Sequence, residues 1–423
     1  MEEKKTFDKN SIIGFALIGL ILIGVMYMNP NEDIVPEQDT TDQVETNTST
    51  DPVSTSKQTP KRSQENGMAS NLQDSVNSEL ARRDYGAFAY SALQDFAKDD
   101  AVTTIENEVI KLEISNKGGQ IVEAKMKQYD TYKGNPVYLI KDGNANFNIE
   151  FETNDGRVIN TSDLYFEPNL TTENGNQVLT MRAKVSDLEF LEFYYGLESK
   201  DYMMNFKIRS QGLNSVISSD QANLSWKVKV LRKAKSISYE NRYTEIVYLY
   251  EDEKDDYTGQ GDEAVEEDES IDWIAFKQHF FTSVLLTDTP FEKGKMTSLN
   301  LVQDEQIDTV FTKNFLAEVP IKLNNGEFSE TMNWYHGPSD FDVLSSYERK
   351  LDEIVPLGWG LFGWINRYIF IPFFGFLSSN LPSYGLAIIV MTIVVRIVLS
   401  PITYKSYVSQ AKMKVLKPEI NEI

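Results

Sequence analysis

The chain has 423 residues and a formal charge of −23, from 41 Lys and Arg against 64 Asp and Glu. That length exceeds one compact domain, and the acidity argues against nucleic-acid binding, which requires a basic patch. Cysteine is absent, which excludes disulfides, thiolate nucleophiles, Cys-type zinc sites and a lipidated amino-terminal cysteine.

Residues 1–10 carry Lys4, Lys5 and Lys9 and precede the apolar run "SIIGFALIGLILIGVMYM", Ser11 to Met28. Eighteen helical residues span about 27 Å, close to a hydrocarbon core of about 30 Å. Polar residues follow the run with no small-x-small cleavage site, so it reads as an uncleaved signal anchor over 11–28. No Lys or Arg occurs after it until Lys57, which places the amino terminus in the cytoplasm and the middle of the chain outside.

Residues 29–100 are dominated by Thr, Asp, Glu, Ser, Gln and Asn. Too few large apolar residues are present to offset ordering entropy, and the expectation is a disordered tether. Within it "ELARRDYGAFAYSALQDFA", residues 79–97, is richer in aromatics and could supply one short helix.

From Ala101 the pattern has period two. In "VIKLEIS" Ile110, Leu112 and Ile114 share one strand face, and in "YMMNFKIR" Tyr202, Met204, Phe206 and Ile208 do the same. "NKGG", Asn116 to Gly119, marks a turn. Such segments recur to about Tyr335, which predicts a large antiparallel β-sandwich over 101–350. The acidic stretch Glu251 to Ser270 lacks calcium-loop spacing and is expected to be a self-repelling, solvated loop. His279 and His336 lie among aromatics as packed residues, and no G-x-S-x-G, H-E-x-x-H or phosphate-binding glycine loop is present. Nothing here supports an enzyme.

Residues 351–380 contain Trp359, Phe362, Trp364, Tyr368, Phe370, Phe373, Phe374 and Phe376, with Pro372 and Gly375 disfavouring a straight span. Such a segment is predicted to be an interfacial helix on the outer surface. A second span follows over 381–403. Lys405, Lys412, Lys414 and Lys417 come after it, so that end is cytoplasmic too. Within the span, Thr392, Arg396, Ser400 and Thr403 recur at helical spacing and share one face. Arg396 lies roughly 10–13 Å from the inner end of the span, a long reach for snorkelling, so the polar stripe predicts a water-containing cavity. Pro401 is expected to kink or end the helix.

The segments "NWYHGPSDFDVLSS", "RIVLSP" and "YVSQAKMKVLKPEI", with "ISNKGGQIV" and "DWIAFKQHFF" in the exported part, resemble the YidC membrane protein insertases. The resemblance implies a β-supersandwich of sugar-mutarotase type outside the membrane, without an established catalytic role. It implies that Arg396 lies in a hydrophilic groove, open to cytoplasm and lipid, that receives polar parts of an incoming chain. Thr392, Ser400 and Thr403 would extend that lining by the helical spacing alone. The implied partners are nascent membrane proteins, the Sec translocon, the ribosome through the cytoplasmic part, and the lipid bilayer of the bacterial inner membrane. No cofactor, nucleotide or metal is implied. Family members continue into a cytoplasmic helical hairpin and further spans. Residues 404–423 are therefore expected to begin that hairpin in a fragment or truncated product. The competing readings are a membrane-anchored β-sandwich binding glycans or envelope proteins, and an exported sugar-processing enzyme.

Overall fold

The computed structural model describes residues 66–93, 101–251 and 254–420, with side chains placed from Val76 to Met413. The anchor expected over 11–28 lies outside the described residues.

Alternating apolar positions build two antiparallel sheets. The smaller contains β1 (Val102–Glu106), β2 (Ile110–Ser115), β3 (Ile121–Asp130) and β4 (Pro136–Ile140) in sequence order. The larger has thirteen strands. Its first half in sequence is β5 (Ala145–Glu152), β6 (Val158–Asn160), β7 (Glu167–Glu173), β8 (Asn176–Lys184), β9 (Phe190–Leu197) and β10 (Met203–Gln211). Next come β11 (Gln221–Leu231), β12 (Glu245–Tyr250), β13 (Lys254–Tyr257) and β14 (Glu263–Lys277). β15 (Phe281–Asn300), β16 (Phe311–Lys322) and β17 (Ser329–Pro338) complete it. The order across the sheet is β6-β5-β11-β16-β15-β17-β10-β9-β8-β7, with β14 on β15 and β12 joining β13 to β14.

One core joins the two layers. Ile110, Leu112 and Ile114 are at most 1% exposed and belong to the same buried cluster as Phe147, Phe206, Trp226 and Trp334 of the larger sheet. Met204, Phe206 and Ile208 are buried as their alternation predicts, with Asn205 exposed and Lys207 half-buried between them. The glycine turn is required by packing. Gly119 has φ +61, and a Cβ there would meet Phe193 at 2.9 Å and Phe166 at 3.1 Å. Tyr195 Oη then donates to the Gly119 carbonyl at 2.6 Å, closing the turn onto the larger sheet.

Two expectations need correction. Part of the stretch read as a disordered tether is helical: α1 (Asn66–Tyr85) and α2 (Ala89–Leu93) flank a short turn at Gly86–Phe88. Arg82 and Arg83 complement the last turn of α1, and Gly86 at φ +54 ends it. Phe88 then enters the β core, fully buried and edge-on to Phe151 at 5.5 Å. A single large anchor outweighs the polar composition.

The acidic stretch also differs from expectation. Residues 254–257 form β13 and residues 263–270 form the outer half of β14. Pairing supplies the reason. Glu267 faces Lys295 and Glu269 faces Lys293 across the β14–β15 ladder, so lysines of the partner strand offset the repulsion within β14.

After β17 the chain passes through α4 (Phe341–Ser345), α3 (Ile237–Arg242) having formed earlier between β11 and β12. Then α5 (Gly360–Ile365), a wider π turn over Asn366–Phe370 and α6 (Ile371–Asn380) make one helical stretch. Pro372 does not break it. The Ile371 N–H reaches back to Asn366 O, and Pro372 falls in the first turn of α6, where its missing N–H costs little. The final helix, α7 (Tyr384–Ile420), runs for 37 residues, straight past Pro401. It therefore does not end at Pro401, and residues 404–420 continue it as helix. Among the described residues, Gly360–Asn380 and Tyr384–Met413 are each long and apolar enough to cross a bilayer.

Candidate functional site

α7 exposes Ile388, Ile389, Ile393, Ile397, Val398 and Ile402, each more than half accessible. A helix so apolar over most of its surface belongs in lipid or against other apolar helices. One strip departs from this. Thr392, Arg396, Ser400 and Thr403 are all exposed, and steps of 4, 4 and 3 residues keep them on one side of the helix. The two threonines are internally satisfied: Thr392 Oγ1 donates to Ile388 O at 2.8 Å, and Thr403 Oγ1 to Ser400 O at 2.9 Å. Arg396 differs, since it forms no ion pair among the described residues. The strip therefore presents one guanidinium without an ion-pair partner among the described residues, flanked by hydroxyls that keep acceptor capacity.

The helix is joined to the β domain by a charged latch. Arg367 bonds Asp352 at 2.8 Å and Glu353 at 2.9 Å, and its guanidinium lies 5.5 Å from the Phe341 ring centre. Asn366 Nδ2 donates to Leu357 O at 2.7 Å, and Phe374 stacks on Tyr384 where α6 turns into α7. These contacts join segments on both sides of the expected membrane boundary. A cleft of about 860 Å³ opens beside the latch, lined from α3, β12, β13, β14 and the start of α5. Sequence reasoning missed this cleft. Its residues are more than a hundred positions apart, and no local pattern marks them.

The β domain carries a second polar depression of about 730 Å³ on its larger sheet. Register explains it: Asn148, Ser225, Glu318, Lys295 and Glu267 lie side by side on five neighbouring strands. Among the described residues no aromatic ring lines this depression, so it offers no stacking platform for a sugar. His336 is buried, with Nδ1 2.9 Å from Ser283 Oγ and its ring stacked on Trp334, and burial pushes its pKa down to about 3. His279 is sandwiched between Tyr243 and Phe280, and desolvation lowers its pKa as well. Both rings are thus packed among aromatics, where desolvation favours the neutral imidazole. Among the described residues no group of three or more His, Asp or Glu is arranged to hold a metal.

Comparison with known proteins adds to this geometry. A family profile described as the YidC periplasmic domain matches residues 102–372, and one described as the 60Kd inner membrane protein matches residues 376–423. A membrane protein insertase YidC of Parabacteroides distasonis is 34% identical across 98% of the chain, which spans 66% of that relative. The chain is thus just under two thirds of the relative's length. Among solved structures, YidC from Thermotoga maritima aligns with a TM-score of 0.33 at 12% identity, over 73% of this chain and 71% of that one. A galactose mutarotase related enzyme from Lactobacillus acidophilus aligns with a TM-score of 0.35 at 10% identity, over 56% of this chain and 97% of the other.

Proposed function

The chain belongs to the YidC family, and on that footing we propose that it serves the insertion of nascent membrane proteins into the bacterial inner membrane. In this reading α7 crosses the bilayer with its Lys-rich end in the cytoplasm. The β domain stands in the periplasm, and α5–α6 lies along the outer interface. Arg396 attracts polar and acidic parts of an arriving chain into the membrane interior, and Thr392, Ser400 and Thr403 extend the polar track. The protein acts alone or beside the Sec translocon, and meets the ribosome through its cytoplasmic part.

The observation that carries the reading is Arg396, exposed on an apolar helix without an ion-pair partner among the described residues. Such a cation is costly in lipid, and a functional role accounts for its presence better than stability does. In a low-dielectric groove it attracts a carboxylate far more strongly than it would in water. Its family role is tested in the full-length protein, reconstituted in vesicles and supplied with matched substrates bearing acidic or neutral exported segments. Arg396→Ala is expected to impair the acidic substrates more, and Arg396→Lys to retain much of the activity, since Lys keeps the charge. Equal insertion of both substrate types by wild type and Arg396→Ala would defeat the electrostatic role.

A further inference from the structure

The cleft beside α5 brings together three cations and three carboxylates. Lys277 is paired with Glu245 at 2.5 Å, and Arg367 with Glu353 at 2.9 Å. Arg242, in the last turn of α3, and Asp255, on β13, form no ion pair among the described residues, yet both line the same cleft. Four aromatic rings complete the walls: Tyr243, Tyr257, Trp359 and Trp364. Trp359 is 61% exposed and Trp364 53%. Beyond the rim, Leu361 and Phe362 continue an exposed apolar surface along α5.

We propose that this cleft binds the zwitterionic headgroup of a phospholipid, with the phosphate on Arg242 and the ammonium on Asp255. The inference rests on the reading that α5–α6 lies at the membrane surface. Charge supports the assignment. The lining is balanced at three against three, so its field favours neither an anionic nor a cationic headgroup, whereas its two unpaired groups match a molecule carrying one charge of each sign. The chain as a whole is strongly acidic, which weakens any general attraction for anionic lipid. Aromatic rings line the cleft beside Asp255, and Trp and Tyr are the side chains that settle at headgroup depth. Acyl chains leaving the cleft would run over Leu361 and Phe362. The ligand thereby ties β12–β13, α3 and α5 together, and it fixes how close the β domain stands to the bilayer.

Native mass spectrometry of the full chain released from detergent tests this, with phosphatidylethanolamine and phosphatidylglycerol of identical acyl chains as separate probes. Wild type is expected to retain phosphatidylethanolamine preferentially. Arg242→Ala should weaken that retention about tenfold, the loss expected for one charge-assisted contact. Asp255→Asn should abolish the preference over phosphatidylglycerol, since it removes the ammonium partner alone. Equal phosphatidylethanolamine retention by wild type and Arg242→Ala would overturn the proposal. So would a wild-type preference for phosphatidylglycerol, or displacement of lipid by an acidic peptide at equal concentration. Membrane placement is read separately, through quenching of tryptophan fluorescence by spin-labelled lipid. Three of the five tryptophans, Trp226, Trp273 and Trp334, are buried in the β domain, so Trp359 and Trp364 dominate the quenching. Absence of quenching sinks the interfacial reading. Quenching with unaltered lipid retention in Arg242→Ala sinks the headgroup site alone.

Discussion

Arg182 Nε donates to Glu192 Oε2 at 2.5 Å, a contact between a half-exposed cation and a carboxylate with no solvent exposure at all. Arg209 approaches the other carboxylate oxygen from the neighbouring strand. The exposure is lopsided, and so are the expected consequences of mutation. Glu192→Gln leaves two arginines that can turn to water, and should cost about 1–2 kcal/mol. Replacing both Arg182 and Arg209 with Met strands a buried carboxylate, and should cost about 3–5 kcal/mol. Urea unfolding of residues 66–350 measures both. A double variant no less stable than Glu192→Gln would contradict the asymmetry.

Phe88 gives a second test. Its side chain is fully buried although it comes from a segment outside the two sheets. Phe88→Ala should lower the stability of the 66–350 domain by about 3–5 kcal/mol. A polypeptide beginning at residue 101 should show a comparable loss. If both are as stable as wild type, the α1–α2 segment is not part of the cooperative unit.

His336 predicts a pH dependence. Its folded pKa is about 3, against about 6.5 in an unfolded chain. Between these values the unfolded state holds the extra proton, so acid favours unfolding. The contribution is complete above about pH 6.5 and shrinks as the pH falls toward 3, by at most roughly 1.4 kcal/mol per unit. Urea midpoints from pH 7 to pH 5, above the main carboxylate range, report the histidines whose pKa burial lowers, His336 and His279, and the difference between wild type and His336→Gln isolates the first. His336→Gln should flatten the profile in that window. An unchanged slope would assign the acid sensitivity to other groups.

The sheets were legible because burial there is local in sequence: Ile110, Leu112 and Ile114 announce their face by spacing alone. The polar strip on α7 was legible for the same reason, since one helix sets the whole relation between Thr392 and Thr403. Where the reading failed, the deciding partner was remote. Nothing in Glu263 to Ser270 reveals that Lys293 and Lys295 will lie opposite. Composition around Phe88 gives no sign of the Phe151 ring that receives it. Arg242, Asp255 and Trp359 likewise line one cleft only because α3, β13 and the start of α5 converge.

Pro401 gives α7 a built-in point of compliance. Proline has no N–H to offer the Ile397 carbonyl, so the backbone ladder is thinned just past Arg396, on the side leading to Ile420. Below it, 19 residues form an arm of roughly 29 Å. With one ladder bond missing, the helix resists bending least at Pro401, so the arm and the stretch carrying Arg396 meet at the softest point of α7.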